Sequence, residues 1–140
     1  ELQRRGQLTA RVRVPFHMKN FMDLSMLEKA SKMAARYNSD MLQSGFVKVF
    51  VDGVVDSATA VMVEDYADQP GWRGDTLFTP ENFARVAVEA DRRGLQIAVH
   101  AIGDGAVRIT LDGYAAAQKA SSSVAGARSE ISSATGRDSR

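Results

Sequence analysis

The chain reads Phe46-Val47-Lys48-Val49-Phe50-Val51-Asp52 at one point and Leu95-Gln96-Ile97-Ala98-Val99-His100 at another. Successive side chains of an extended strand point to opposite faces. Phe46, Lys48, Phe50 and Asp52 therefore share one face of the first run, and Val47, Val49 and Val51 the other. In the second run Gln96, Ala98 and His100 stand opposite Leu95, Ile97 and Val99. Each run sets an aliphatic face against one that holds ionisable groups. Helices packed on the aliphatic face would leave Lys48 and His100 directed towards a common centre.

Between the two runs, Thr79-Pro80 is a helix start, with an N-cap followed by proline at the first helical position. Phe83, Val86, Ala87 and Ala90 form its apolar stripe, and Arg92, Arg93 and Gly94 end it. Upstream, Thr9–Val14 alternates as a strand that Pro15 stops. Glu1–Arg5 with Gly6 resembles the last turn of a helix. Ser25 and Glu28 form a capping-box pattern for a helix with Leu27, Ala30, Ala34 and Tyr37 at helical spacing. Downstream, Gly103-Asp104 opens a third helix, with Val107, Thr110, Leu111 and Tyr114 along one side, lasting to about Lys119. Strands alternating with helices predict parallel pairing, so the fold class is α/β.

Gly53–Phe78 has no sustained period, and a loop this long is functional or disordered. Val54, Val55, Val61, Met62, Val63, Tyr66 and Trp72 favour order. Ser121–Arg140, rich in serine and alanine, is expected to be a flexible tail. The division expected is thus 1–120, with the loop 53–78, and 121–140.

At 140 residues, 44% hydrophobic and 25% charged, the composition is that of a globular domain able to bury a core. A formal net charge of +1 and scattered basic residues give no nucleic-acid surface. No apolar run reaches the ~18 residues of a membrane span. The expected location is cytoplasmic. With no cysteine, disulfides and thiolate metal sites are excluded.

A lysine within a strand as apolar as this one must pair with an acid, lose its proton or be modified. Asp52 could supply a salt bridge to Lys48. The other readings are a Schiff-base or general-base lysine, or one carboxylated on its amine to give an anionic metal ligand. His100 stands at the carboxyl end of its strand, where ligands gather in α/β proteins, and neutral imidazole is the commonest metal ligand. A structural hydrogen bond to a loop carbonyl is the alternative. Asp104 reads as a helix cap, His17 as a surface loop residue, and Asp56, Glu64, Asp65 and Asp68 as a solvated loop.

The run VKVFVDGVVDSATAVMVEDY from Val47, followed by LQIAVHAIGDGAV from Leu95, resembles the metal-dependent amidohydrolases of the family-3 type. These include formamide deformylase-like and exoenzyme-regulatory-protein-like members. A VKxFxDG strand, a TA…PY loop and an HAIGD strand end occur in that family in this order. The likeness extends from Glu1 to about Lys119.

The resemblance implies a (β/α)8 TIM-type barrel of which this chain supplies about strands three to five. Lys48 then matches the fourth-strand lysine, which can be carboxylated and bridge two metals, and His100 the fifth-strand histidine ligand. Asp52, Tyr66 and Asp104 become candidates for substrate-side or supporting roles. The implied cofactor is a divalent metal, usually zinc, activating water for attack on an amide-like C–N bond of a small molecule. The first-strand His-x-His pair, the sixth-strand histidine of an RIEH-like motif and the eighth-strand aspartate are not in this sequence. The expectation is accordingly an internal fragment with an incomplete metal site, inactive alone and self-associating through open sheet edges. A non-catalytic α/β module and a Schiff-base lysine barrel enzyme are the alternatives.

Overall fold

The computed structural model describes residues 1–135. Five parallel-paired strand segments are present: β1 (Val12–Arg13), β2 (Phe16–His17), β3 (Leu42–Gln43), β4 (Phe46–Phe50) and β5 (Gln96–His100). The helices are α1 (Leu27–Arg36), α2 (Pro80–Arg92) and α3 (Asp104–Thr135). β1 pairs with β3, while β2, β4 and β5 form a sheet in the order β2-β4-β5. Mixed α/β architecture with parallel strands is what the alternating pattern predicts.

Pro15 does not end the first strand as expected. Pairing runs Val12↔Leu42 and Arg13↔Gln43 before the proline, then Phe16↔Val47 and His17↔Lys48 after it. The second strand therefore carries one extra residue between the two ladders, around Ser44-Gly45. This bulge passes the position where proline has no N–H to give, and the ladder resumes beyond it.

The aliphatic face of β4 is sealed. Val47, Val49 and Val51 are each 0% exposed, in one cluster with Leu27 and Ala30 of α1 and Phe83, Val86, Ala87 and Ala90 of α2. α2 begins as its sequence dictates: the Thr79 hydroxyl accepts from Asn82 N at 3.2 Å and Pro80 follows. Gly94 ends it in the left-handed region at φ +68°, which favours glycine. In its last turn Glu89 pairs with Arg92 at 2.7 Å and Arg93 at 2.6 Å. The Arg92 hydrogen bond first, then that of Arg93, holds the Glu89 carboxyl far below its usual 4.5, at about 2.

Three local expectations are corrected. Ser25 does not cap α1: Asp23 caps a short 3-10 turn, Leu24–Met26, by accepting from Ser25 N at 2.8 Å. α1 itself begins after Met26, which gives it no side-chain cap. The buried face of α3 is Ala106, Thr110, Gly113 and Ala117, and Val107, Leu111 and Tyr114 are exposed. Small residues win that face because a Cβ at Gly113 would lie 2.4 Å from the Phe83 ring of α2. Lastly, α3 continues through Ser121 to Thr135 instead of stopping near Lys119. Serine and alanine extend a helix already nucleated by packing, and no proline intervenes. Of the expected flexible tail, residues 136–140 lie outside those described. No helix among the described residues is long and apolar enough to cross a membrane.

Candidate metal centre

The register sets the site. His17 of β2 lies directly beside Lys48 of β4, Lys48 beside Ala98 of β5, and Phe50 beside His100. Period two then puts His17, Lys48, Phe50 and His100 on one face, with Lys48 and His100 diagonal neighbours. This face is open where the valine face is closed: Phe46, Lys48 and Phe50 are all half-buried.

Phe50 stands at the middle of the group. Its ring centroid is 5.2 Å from that of His17, 5.1 Å from that of His100 and 4.7 Å from the Lys48 ammonium. The ammonium over the ring is a cation–π contact. The salt bridge to Asp52 does not form, because Asp52 is engaged elsewhere. Lys48 takes part in none of the ion pairs among the described residues.

Asp52 is a buried junction. Its side chain is 0% exposed, and it accepts from Val61 N at 2.9 Å, Ile102 N at 3.0 Å and Gly103 N at 2.9 Å. One carboxylate thus ties the end of β4 to the long loop and to the turn that follows β5. His100 Nε2 lies 4.0 Å from Asp52 Oδ1 and 2.9 Å from the Gly53 carbonyl oxygen. A carbonyl can only accept, so Nε2 carries a proton, and in a neutral ring Nδ1 would hold the free lone pair. Histidines that bind metal are commonly oriented in this way, by a backbone carbonyl on the other nitrogen.

The other candidates serve the loop. The Tyr66 hydroxyl donates to Ala60 O at 2.9 Å, and Asp104 accepts from Val63 N at 2.8 Å and Gly105 N at 2.9 Å. Asp65 pairs with Arg73 at 2.6 Å, which holds the exposed carboxyl below its usual range. Trp72 Nε1 donates to Ala58 O at 2.7 Å. The Gly53–Phe78 segment is therefore ordered by its own contacts. His17, expected as a surface loop residue, lies instead in β2, whose pairing with β4 resumes after Pro15.

Among the described residues no three His, Cys, Asp or Glu side chains converge as a metal-binding group. What fits a metal is smaller: one imidazole with its tautomer fixed, and one amine on the same face with no carboxylate to neutralise it.

Parallel strands alternating with helices, with an amine and an imidazole on one open face of the sheet, make this an α/β protein. The chain belongs to the amidohydrolase family, whose profile matches residues 1–139. It is 42% identical over 76 residues to the protein LONG AFTER FAR-RED 3 of Arabidopsis thaliana, covering 54% of this chain and 13% of that protein. It is 34% identical over 77 residues to YtcJ of Bacillus subtilis (strain 168), which is named as an amidohydrolase, covering 55% and 14%. Among solved structures it resembles an uncharacterized metal-dependent hydrolase from Pyrococcus furiosus, with a TM-score of 0.69 and 31% identity over 84% of this chain and 24% of that one. A second such hydrolase, from Pyrococcus horikoshii OT3, gives 0.66 and 29% over 81% and 22%. The matches thus span under a quarter of each relative's length.

Proposed function

We propose that the chain contributes Lys48 and His100 to the metal centre of a hydrolase acting on C–N bonds of small amide-like substrates, within about strands three to five of a (β/α)8 barrel. The observation that carries this reading is the pair itself. Nδ1 of His100 is left as a donor by the bond from Nε2 to Gly53, on the same open face as an unpaired Lys48. A divalent metal held there, zinc in this proposal, would supply an activated water and polarise the substrate carbonyl. Its ammonium having first lost one proton, Lys48 would take up carbon dioxide on the amine with release of a second proton, and so present an anionic oxygen donor. Asp52 and Gly53 keep the imidazole in place.

Catalytic zinc usually takes three protein ligands, and this proposal draws two from the described residues, Lys48 and His100. The 140-residue chain is accordingly proposed to be inactive alone, with the unpaired outer edges of β2 and β5 open to further strands. Elemental analysis of the purified chain, with and without added zinc, tests this. The expected result is weak binding that disappears in His100→Ala and in Lys48→Met. Zinc uptake indifferent to both substitutions would refute the assignment.

A further inference from the structure

The face that carries Lys48 and His100 adjoins a hollow of about 210 Å³ near the carboxyl ends of β2 and β4, lined chiefly by His17, Met18, Phe21, Phe50, Leu77 and Phe78. Its walls are mostly carbon. Phe21 is 77% exposed and Leu77 50%, so two large apolar side chains border the same hollow while facing water. Exposed apolar surface gathered in one place marks a binding site more often than chance.

Two contacts join the hollow to the proposed metal ligands. Phe50 lines it and also lies against both the Lys48 ammonium and the His100 ring. His17 lines it and is the register partner of Lys48. A substrate whose C–N bond lay at Lys48 and His100 would meet this hollow one side chain further along. The volume exceeds the roughly 150 Å³ of apolar cavities that accept benzene. Lys19 also lines the hollow, but its side chain is exposed and its ammonium lies 5.6 Å from the Phe21 ring centroid. The walls therefore hold no buried counter-charge, whereas a planar ring would find Phe50 and Phe21.

We infer that the hollow is the subsite for the apolar group flanking the scissile C–N bond, so that the site to which this chain contributes takes amides bearing an uncharged aromatic or branched alkyl substituent. The choice of an amide rests on the function proposed above; the affinity of the hollow for an apolar ring does not.

The test is an NMR titration of the metal-free 140-residue chain with acetanilide and, separately, with acetamide. Acetanilide is expected to shift His17, Phe50, Leu77 and Phe78 and to bind roughly tenfold or more tighter than acetamide, which lacks the ring. Leu77→Asp and Phe21→Asp, both at exposed positions, should each weaken acetanilide by at least about fivefold. Equal affinities, shifts centred elsewhere, or wild-type binding by both variants would overturn the inference. Acetanilide binding in a chain whose zinc uptake ignores His100 would remove the metal assignment and leave the hollow. Zinc uptake that depends on His100, without preference for acetanilide, would remove the hollow alone.

Discussion

The two faces of β4 meet different surroundings. Val47, Val49 and Val51 touch no solvent, whereas Phe46, Lys48 and Phe50, the alternate residues of the same strand, stay half-open. One face holds the fold together. The other keeps an amine, two imidazoles and an aromatic ring where a ligand can reach them. A strand can do both because its side chains alternate, so stability and chemistry occupy neighbouring residues without sharing a surface.

The sharpest way to break this division is to move a charge across it. Val49→Asp would bury a carboxylate with no partner, and a loss of more than about 4 kcal/mol is expected, seen as loss of cooperative urea unfolding. Lys48→Met on the open face should change stability by no more than about 0.5 kcal/mol in the same experiment. A large loss there would mean that the open face also carries the fold.

Asp52 lies between these extremes, at the edge where both faces meet the loop. Asp52→Ala leaves three backbone N–H groups without their acceptor, and about 3 kcal/mol is expected. Hydrogen exchange should show Val61, Ile102 and Gly103 losing protection first. A uniform loss across α1 and α2 would contradict the role of a local junction.

A smaller effect than that of Asp52 is expected in the last turn of α2. Glu89→Gln should cost about 1 kcal/mol at neutral pH, since Arg92 is largely in water and only Arg93 is well shielded. Because the folded Glu89 carboxyl is held near 2, against 4.5 unpaired, its contribution is fully present above pH 4.5. It is lost as pH falls towards 2. The wild type and Glu89→Gln should therefore converge over that window in acid titrations followed by circular dichroism.

Much of this was legible in the residues. β4, β5 and α2 declared themselves through alternation, an N-cap with proline, and a stripe whose members Phe83, Val86, Ala87 and Ala90 are all buried. Lys48 and His100 were placed on one face by counting alone. Other features depend on partners that lie far off in the chain. Gly113 decides which side of α3 turns inward because Phe83 is there to meet it. His17 looked like a loop residue because proline usually ends a strand, and the one-residue bulge that rescues the ladder is built from Ser44-Gly45 on the opposite strand. The three bonds of Asp52 join residues nine to fifty-one positions apart, and no local pattern announces them.

The long loop is seated through main chain. Val61 gives its N–H to Asp52 and its carbonyl to Ala106 N at 3.1 Å. A Cβ at Gly103 would fall 1.9 Å from that carbonyl oxygen, and one at Gly105 2.9 Å. The socket thus grips a peptide unit, while the Val61 side chain packs against the core beside it. A designer could rewrite the outward residues of 54–72 as cargo while the backbone clasp at Val61 still closes. Asp52, Gly103 and Gly105 are the residues on which the clasp at Val61 depends.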